Sequence, residues 1–253
     1  MEIYHSLFPD NVPEGWEDTF IDCKEGIKTT CKIIQKTIKK TKCRIVPEVC
    51  DIFNAWRMIR PEDVKVVIVG QDVYPARGRA CGLAFSTISE DVPRSLVNIY
   101  KEIKANYPNF VIPNHGDLSP WCRQGVMLLN MSLTTVEGES NKHKGIWMSM
   151  IESTVRTLTN LNRKIIWVMW GGAAQKLSSV ISKRGIELIC GHPSPLGAGA
   201  REPFSGCKHF VMINKALNKM DKSPIYWGLP LNLGDEVSDE TLESSEHSIT
   251  CWV

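Results

Sequence analysis

VKVVIVGQDVY, residues 64–74, is the stretch of sequence that decides the fold. After Lys65 it is continuous in valine and isoleucine, which is typical of a strand buried on both faces of a parallel sheet. The run closes at Gly70 and passes at once into a polar segment. Ligands of open parallel sheets bind outside the carboxyl ends of the strands, so this segment is a candidate for the functional site.

Three more apolar runs, GVMLLN, KIIWVMWGG and IELICGH, also read as buried parallel strands and end at Asn130, Gly172 and His192. Segments with the spacing of amphipathic helices lie between and after them, including residues 173–183 and 210–220. Strands that alternate with helices predict a three-layer α/β/α domain with a central, four-stranded, mainly parallel sheet. The polar ends of four such strands should converge on one cleft.

An amphipathic helix is predicted near the N-terminus. Its apolar residues follow the helical period: Ile27, Cys31, Ile34 and Ile38. Its lysines recur every four residues: Lys24, Lys28, Lys32, Lys36 and Lys40. A lysine row of this kind is more often a solvated face than a binding site, and contact with DNA is the alternative interpretation.

Length and composition fit one globular domain, because a single core stops growing at about 250–300 residues. The chain has 253 residues, of which 43% are hydrophobic and 23% charged. No apolar run approaches the roughly 20 residues of a membrane span, and the N-terminus lacks the pattern of a signal peptide. We therefore expect no membrane association and a location in the nucleus or cytoplasm.

The nine cysteines include no C-x-x-C pair, which favours buried thiols over a zinc or iron–sulfur site.

Charge is unevenly distributed along the chain. All 30 Lys and Arg residues precede Leu231, whereas six of the 28 acidic residues follow Pro230, so residues 1–230 carry a net charge of +8. A basic body favours a polyanionic partner, although many basic proteins bind no nucleic acid. We divide the chain into a domain over residues 1–230 and an acidic, disordered tail over residues 231–253. The tail is expected to bind a basic protein partner or to compete weakly with DNA.

Four motifs are the most specific signal in the sequence. They are GQDVY (70–74), GLAFS (82–86), LLN (128–130) and HPSPL (192–196). In order and spacing they resemble the motif set of the family-one uracil-DNA glycosylases, and the likeness covers residues 15–229. The chain has neither a G-x-x-x-x-G-K-[ST] nor a G-x-G-x-x-G signature, which disfavours a nucleotide-binding α/β protein of another kind.

The resemblance implies a monofunctional hydrolase that needs no metal or cofactor. It would flip uracil out of single- or double-stranded DNA and hydrolyse the N-glycosidic bond, leaving an abasic site for base excision repair. Asp72 would position the attacking water and stabilise the cationic sugar, and His192 would hydrogen-bond uracil O2 as the base leaves. These residue types suit a reaction in which positive charge develops on the sugar and negative charge on the base.

The resemblance also assigns a uracil pocket. Phe85 would stack on the flipped base, and Asn130 would match uracil O4 and N3 with the donor and acceptor of one amide. Tyr74 would exclude the methyl group of thymine at C5. Gln71 would contribute backbone contacts to the uracil edge.

Four further residues would contact DNA by the same resemblance. Ser95, Ser194 and Arg201 would bind phosphates, and Leu196 would be the wedge that replaces the flipped base. Ser95 also opens a helical pattern, so an N-cap is an equal and compatible interpretation. The resemblance further implies a monomer that DNA-mimic proteins can inhibit.

The sequence departs from the family pattern at a few positions. Val73 stands where the family usually has proline, and Pro75 where it commonly has histidine. Gly172 and Ala173 replace a serine and an aromatic residue, which removes one phosphate-binding hydroxyl. These departures motivate an alternative function, a glycosylase-like DNA-binding or replication-accessory protein with weak catalysis.

Overall fold

The structure is a computed structural model that describes residues 12–161, 164–181, 185–195 and 201–233. In chain order its helices and strands are α1 (Glu17–Asp22), α2 (Lys24–Thr41), β1 (Ile45–Val46), α3 (Asn54–Arg57), β2 (Val66–Gly70), α4 (Arg94–Asn106), α5 (Ser119–Cys122), β3 (Val126–Asn130), β4 (Thr135–Val136), α6 (Met148–Asn160), β5 (Ile166–Trp170), β6 (Ile186–Cys190) and α7 (His209–Asn218). Short 3-10 helices occur at Val49–Asp51, Pro61–Asp63 and Ala174–Ser179.

The central sheet has four parallel strands in the order β3-β2-β5-β6, which confirms the predicted sheet. From β2 the chain passes to β3 on one side and then crosses back to β5 on the other. The strand order therefore reverses between β2 and β5, and the carboxyl ends of these two strands flank the crevice in which such sheets bind ligands.

Helices cover both faces of the sheet. The crossover through α4 and the crossover through α6 run in opposite directions, so right-handed connections place the two helices on opposite faces. Helix α7 packs against α4, while α1 and α2 pack against α6. This arrangement confirms the three-layer prediction, and every residue of β2, β3 and β5 is buried between the helical layers.

Two sequence interpretations are wrong in detail. The run IELICGH forms an edge strand in which Leu188 and Cys190 are buried but Glu187 and Ile189 are exposed, because one face of β6 packs on the core and the other faces solvent. The helix predicted over residues 173–183 is a 3-10 helix that ends at Ser179.

A second, small sheet was not anticipated from the sequence. Strands β1 and β4 pair antiparallel over two residues each. Just after the end of β4, the amide of Glu137 donates to Arg44 O at 3.0 Å and the amide of Gly138 donates to Pro75 O at 2.9 Å. The small sheet thereby ties the segment after β4 to the loop after β2.

Helix α2 has the amphipathic form that the sequence predicts. Ile27, Cys31 and Ile34 are buried, whereas most of the lysine row is exposed. None of the helices in the described part of the chain is long and apolar enough to cross a membrane.

Two neighbouring isoleucines in α2 test how much the buried face contributes to stability. Ile34 is fully buried and Ile33 is 41% exposed. We expect Ile34→Ala to lower the free energy of unfolding by about 2–5 kcal/mol, because it removes buried methylene groups and leaves a cavity. The matched change Ile33→Ala should alter it by no more than about 0.5 kcal/mol. Urea denaturation measures both, and equal losses would contradict the burial of this face.

Candidate active site

The end of β2 lies against the side chain of Asn130. Gly70 and Asn130 are register partners at the carboxyl ends of β2 and β3. A Cβ atom at Gly70 would lie 2.2 Å from Asn130 Oδ1 and 3.0 Å from the Cβ of Ala84. Only glycine leaves room here, so the buried Asn130 amide lies directly beside the backbone where the polar loop begins.

A segment far away in sequence holds the first two polar residues of this loop. Gln71 Nε2 donates to Asn141 Oδ1 at 2.7 Å, and the backbone amide of Asn141 donates to Asp72 Oδ2. Asn141 has a φ of 60°, a left-handed conformation that asparagine adopts more readily than most residues. The small sheet of β1 and β4 brings Asn141 to this position.

Asp72 is a partly desolvated carboxylate with one oxygen fixed. Burial raises the pKa of Asp72, and the backbone amides of Asn141 and Val73 act in the opposite direction. Its Oδ1 is buried and makes no hydrogen bond with any described residue. One oxygen is thus held by the protein while the other can accept a hydrogen bond from a water molecule or a ligand.

Tyr74 and Phe85 form one wall of the cleft. Tyr74 Oη donates to the carbonyl of Phe85 at 2.8 Å, and burial raises the pKa of Tyr74 to about 12, so the hydroxyl stays protonated. Phe85 has a φ of 64°, which is rare for an aromatic residue and marks a constrained position. The Phe85 ring centroid lies 5.4 Å from that of Trp170 and 5.8 Å from that of His192.

His192 is held as a neutral hydrogen-bond donor. The amide of Ser194 donates to His192 Nδ1 at 3.0 Å, so the hydrogen of the neutral ring is on Nε2. Burial lowers the pKa of His192. A Cβ atom at Gly171 would lie 2.9 Å from the His192 Cβ, and Asn98 Nδ2 donates to Pro193 O at 2.7 Å. Residues 191–195, which we call the His192 loop, are therefore held by Gly171 just after β5 and by Asn98 of α4.

The residues predicted to contact DNA lie in different surroundings. Ser95 is the second residue of α4, whose N-cap is Pro93, so the N-cap interpretation is wrong. Its Oγ lies 3.3 Å from Tyr74 Oη. Arg201 is exposed and precedes Glu202, whose carbonyl accepts the amide hydrogen of Gly191. Leu196 lies outside the described residues.

The sequence interpretation missed Asn141, Trp170 and the close approach at Gly171. Each had a local signal: an asparagine in a polar loop, and an aromatic residue followed by glycine at a strand end. What joins them to the site is tertiary contact, which no local pattern carries. Val73, the unusual residue in GQDVY, is buried against Val46 and Ala80.

Comparisons with known proteins give one consistent result. The family model for the uracil DNA glycosylase superfamily matches residues 57–218. The uracil-DNA glycosylase of Human herpesvirus 6A (strain Uganda-1102) is 38% identical over 230 residues, which are 89% of each chain. That of Dichelobacter nodosus (strain VCS1703A) is 43% identical over 180 residues, 70% of this chain and 77% of the relative.

Solved structures agree with the sequence relatives. The crystal structure of mimivirus uracil-DNA glycosylase has a TM-score of 0.72 at 28% identity and covers 90% of this chain and 99% of that chain. A variant of mimivirus UNG in complex with UGI has a TM-score of 0.80 at 30% identity, covering 89% and 91% of the two chains.

The neutral state of His192 can be measured directly. We expect its midpoint in an NMR pH titration to lie below 6.5, the ordinary value for an imidazole, because burial disfavours the charged ring. The His192→Leu spectrum assigns the resonance by its loss. A midpoint at or above 6.5 would contradict the neutral-donor geometry.

Proposed function

The chain belongs to the uracil DNA glycosylase superfamily, and from this membership we infer that it is a hydrolase of N-glycosyl bonds that excises uracil from DNA in base excision repair. One observation carries the inference. In this chain a carboxylate, an amide, an aromatic ring and a neutral imidazole lie at one end of the sheet. Asp72, Asn130, Phe85 and His192 provide these groups.

Base recognition follows from the pocket. Uracil must leave the base stack to be reached, and Phe85 offers it a constrained aromatic face. Asn130 supplies a donor for O4 and an acceptor for N3–H, whereas cytosine presents the reverse pattern. Tyr74, held through its hydroxyl on the Phe85 carbonyl, is the group that blocks a methyl at C5. Gln71 completes the uracil edge through its backbone.

Asp72 acts on the sugar side of the bond. Positive charge develops on the sugar as the bond breaks, and a carboxylate close to it stabilises that charge. The Asn141 amide fixes Asp72 Oδ2, which leaves Oδ1 to accept a hydrogen bond from the attacking water. Val73 supports the same carboxylate through its backbone amide, a donor that the usual proline lacks.

His192 acts on the base side. The departing uracil carries negative charge, and a preorganised N–H donor at O2 stabilises it more as the bond lengthens. Because the Ser194 amide occupies Nδ1, the ring offers Nε2–H without needing to be protonated. His192 can therefore work as a neutral donor at pH 7.

DNA binding is proposed at the rim of the cleft. Ser95 lies at the N-terminus of the 13-residue helix α4, where backbone amides favour a phosphate. Ser194 and the exposed Arg201 flank the His192 loop, and Leu196 would be inserted between base steps. DNA-mimic proteins would compete for this rim, a proposal supported by the similarity to UNG in complex with UGI.

The domain limits at residue 230, the monomeric state and the roles of the acidic tail remain proposals. The Asn114 amide donates to Leu231 O at 3.2 Å, so the described chain keeps contact with the domain just past that limit. The replication-accessory alternative gains no specific support from the site, because Asp72, Asn130 and His192 are all in place.

The activity is tested with a uracil-containing oligonucleotide incubated in the presence of a chelator and then treated with alkali. We expect strand breaks at uracil, and we expect Asp72→Asn and His192→Leu each to lower the rate by more than about tenfold with the unfolding midpoint retained. Asp221→Asn, an exposed carboxylate, is the matched control and should excise normally. Intact strands at high protein concentration, with DNA still bound, would refute catalysis.

Two glycines test the placement of Asn130. Gly70→Ala should slow excision at least about tenfold, because the new methyl group displaces the Asn130 amide while leaving the DNA-binding rim intact. Gly172→Ala is the control, since a Cβ there meets nothing within 4 Å. Excision rates and oligonucleotide affinity are measured for both variants. Equal rates would show that Asn130 does not need its observed position.

A further inference from the structure

A cluster of reactive side chains lies directly behind the His192 loop. The ligand atoms of Cys190, Cys207 and His209 are all within 4.8 Å of one another. Cys190 ends β6 two residues before His192, and Cys207 precedes the first residue of α7 by two positions. The two thiols therefore lie close together although one belongs to the strand that leads into the His192 loop and the other to the segment before α7.

Cys207 has the surroundings of a reactive thiolate. The Cys190 thiol and His209, through its side chain and its backbone, lower the pKa of Cys207, whereas burial acts in the opposite direction. Thiolates are favoured at helix N-termini for the same electrostatic reason. The hydrogen bond with Cys207 and burial raise the pKa of Cys190, so Cys207 is the more acidic member of the pair.

The backbone around Cys207 is firmly held. The buried carboxylate of Glu102, on α4, accepts the amide hydrogens of Gly206 at 2.7 Å and Lys208 at 3.0 Å. Cys207 is only partly buried, so a small oxidant can reach it, whereas Cys190 is buried. This is an accessible low-pKa thiol beside a resolving thiol, the arrangement typical of redox-sensitive cysteines.

A thiophilic metal is a weaker interpretation of the same cluster. Trp170 Nε1 donates to His209 Nδ1 at 3.0 Å, and this is the nitrogen that lies 3.9 Å from Cys190 Sγ. The lone pair of Nδ1 is thus already used by the indole N–H. The geometry favours sulfur–sulfur chemistry over coordination.

We propose that Cys207 and Cys190 form a peroxide-sensitive pair that closes to a disulfide and slows uracil excision by displacing the His192 loop. In the first step the Cys207 thiolate attacks one oxygen of hydrogen peroxide, so that an S–O bond forms, the O–O bond breaks and hydroxide leaves. In the second step Cys190 Sγ attacks the Cys207 sulfenic acid. The S–S bond forms, the S–O bond breaks, and the departing hydroxide takes the Cys190 proton as water.

The disulfide would act on the active site through the end of β6. Two sulfur atoms must approach to about 2.05 Å, closer than two free thiols pack. The Cys190 carbonyl accepts the amide hydrogen of Gly171 at 2.9 Å and the side-chain amide of Gln175 at 3.1 Å, so movement of Cys190 strains both contacts. His192 follows two residues later, and misplacing a catalytic group by about 1 Å can cost 10²-fold in rate.

The consequence for excision rests on the proposed function of His192, whereas the thiol chemistry does not. The experiment treats the reduced full-length chain with hydrogen peroxide, blocks free thiols and maps peptides by mass spectrometry. We expect a cross-linked Cys190–Cys207 peptide lacking two hydrogen atoms. Excision should fall at least about fivefold and return on treatment with dithiothreitol.

Variants separate this pair from the other thiols. Cys207→Ser and Cys190→Ser should excise uracil before treatment and keep their rates after peroxide. Cys43→Ser, which removes an exposed thiol elsewhere, should remain as sensitive as the unaltered chain. Both thiols free after peroxide, equal inactivation of Cys207→Ser, an unchanged rate in the cross-linked protein, or stoichiometric zinc released from the purified chain would each overturn the proposal. Failure of the untreated chain to excise uracil would instead refute the proposed function, and the peptide map would still decide the thiol chemistry.

Discussion

The in-register parallel pairing of β2 with β3 is the constraint on which the active site depends. It ends with Gly70 beside Asn130, at a distance that admits no side chain on the glycine. The pairing continues into the loop, because the amides of Met131 and Ser132 donate to the carbonyls of Gly70 and Gln71 at 2.9 and 3.1 Å. The backbone next to Asp72 is therefore positioned by sheet hydrogen bonds before any side chain contributes.

Asp72 and His192 are both partly buried, but their hydrogen bonds differ. Desolvation raises the pKa of Asp72 and lowers the pKa of His192, so it disfavours charge at both. Hydrogen bonds from backbone amides act differently at the two groups. At Asp72 the amides favour the carboxylate, which suits a cationic sugar, while at His192 the Ser194 amide favours the neutral ring, which suits an anionic base. The two groups thus differ through their local backbone, although both are desolvated.

Trp170 connects the proposed uracil pocket to the thiol pair. Its ring packs 5.4 Å from Phe85, and its Nε1 donates to His209 beside Cys190 and Cys207. It also packs at 4.9 Å on Phe204, in the segment that leads to Cys207. The buried Trp170 side chain at the end of β5 therefore packs against Phe85 on one side and contacts His209, beside the thiol pair, on the other.

Much of this protein follows from its sequence. The four apolar runs specify the strands, since runs rich in Val, Ile and Leu are typical of parallel strands in a buried sheet. Their polar ends placed Asp72, Asn130 and His192 at one edge, because parallel strands end on the same side. The edge position of β6 was not predictable, because a short apolar run does not reveal how many neighbours it has.

Tertiary structure alone decided how the site is held. Asn141 contacts Asp72 from the segment that follows the small sheet of β1 and β4, and two-residue strands leave no periodic signal in a sequence. The cysteines are dispersed along the sequence and contain no C-x-x-C pair, yet the fold brings Cys190 and Cys207 together close to His192. The sequence by itself determined which chemical groups stand at the strand ends, through local hydrophobic patterning. Their orientation, desolvation and hydrogen-bond partners arise from contacts between distant segments, which exist only once the chain has folded.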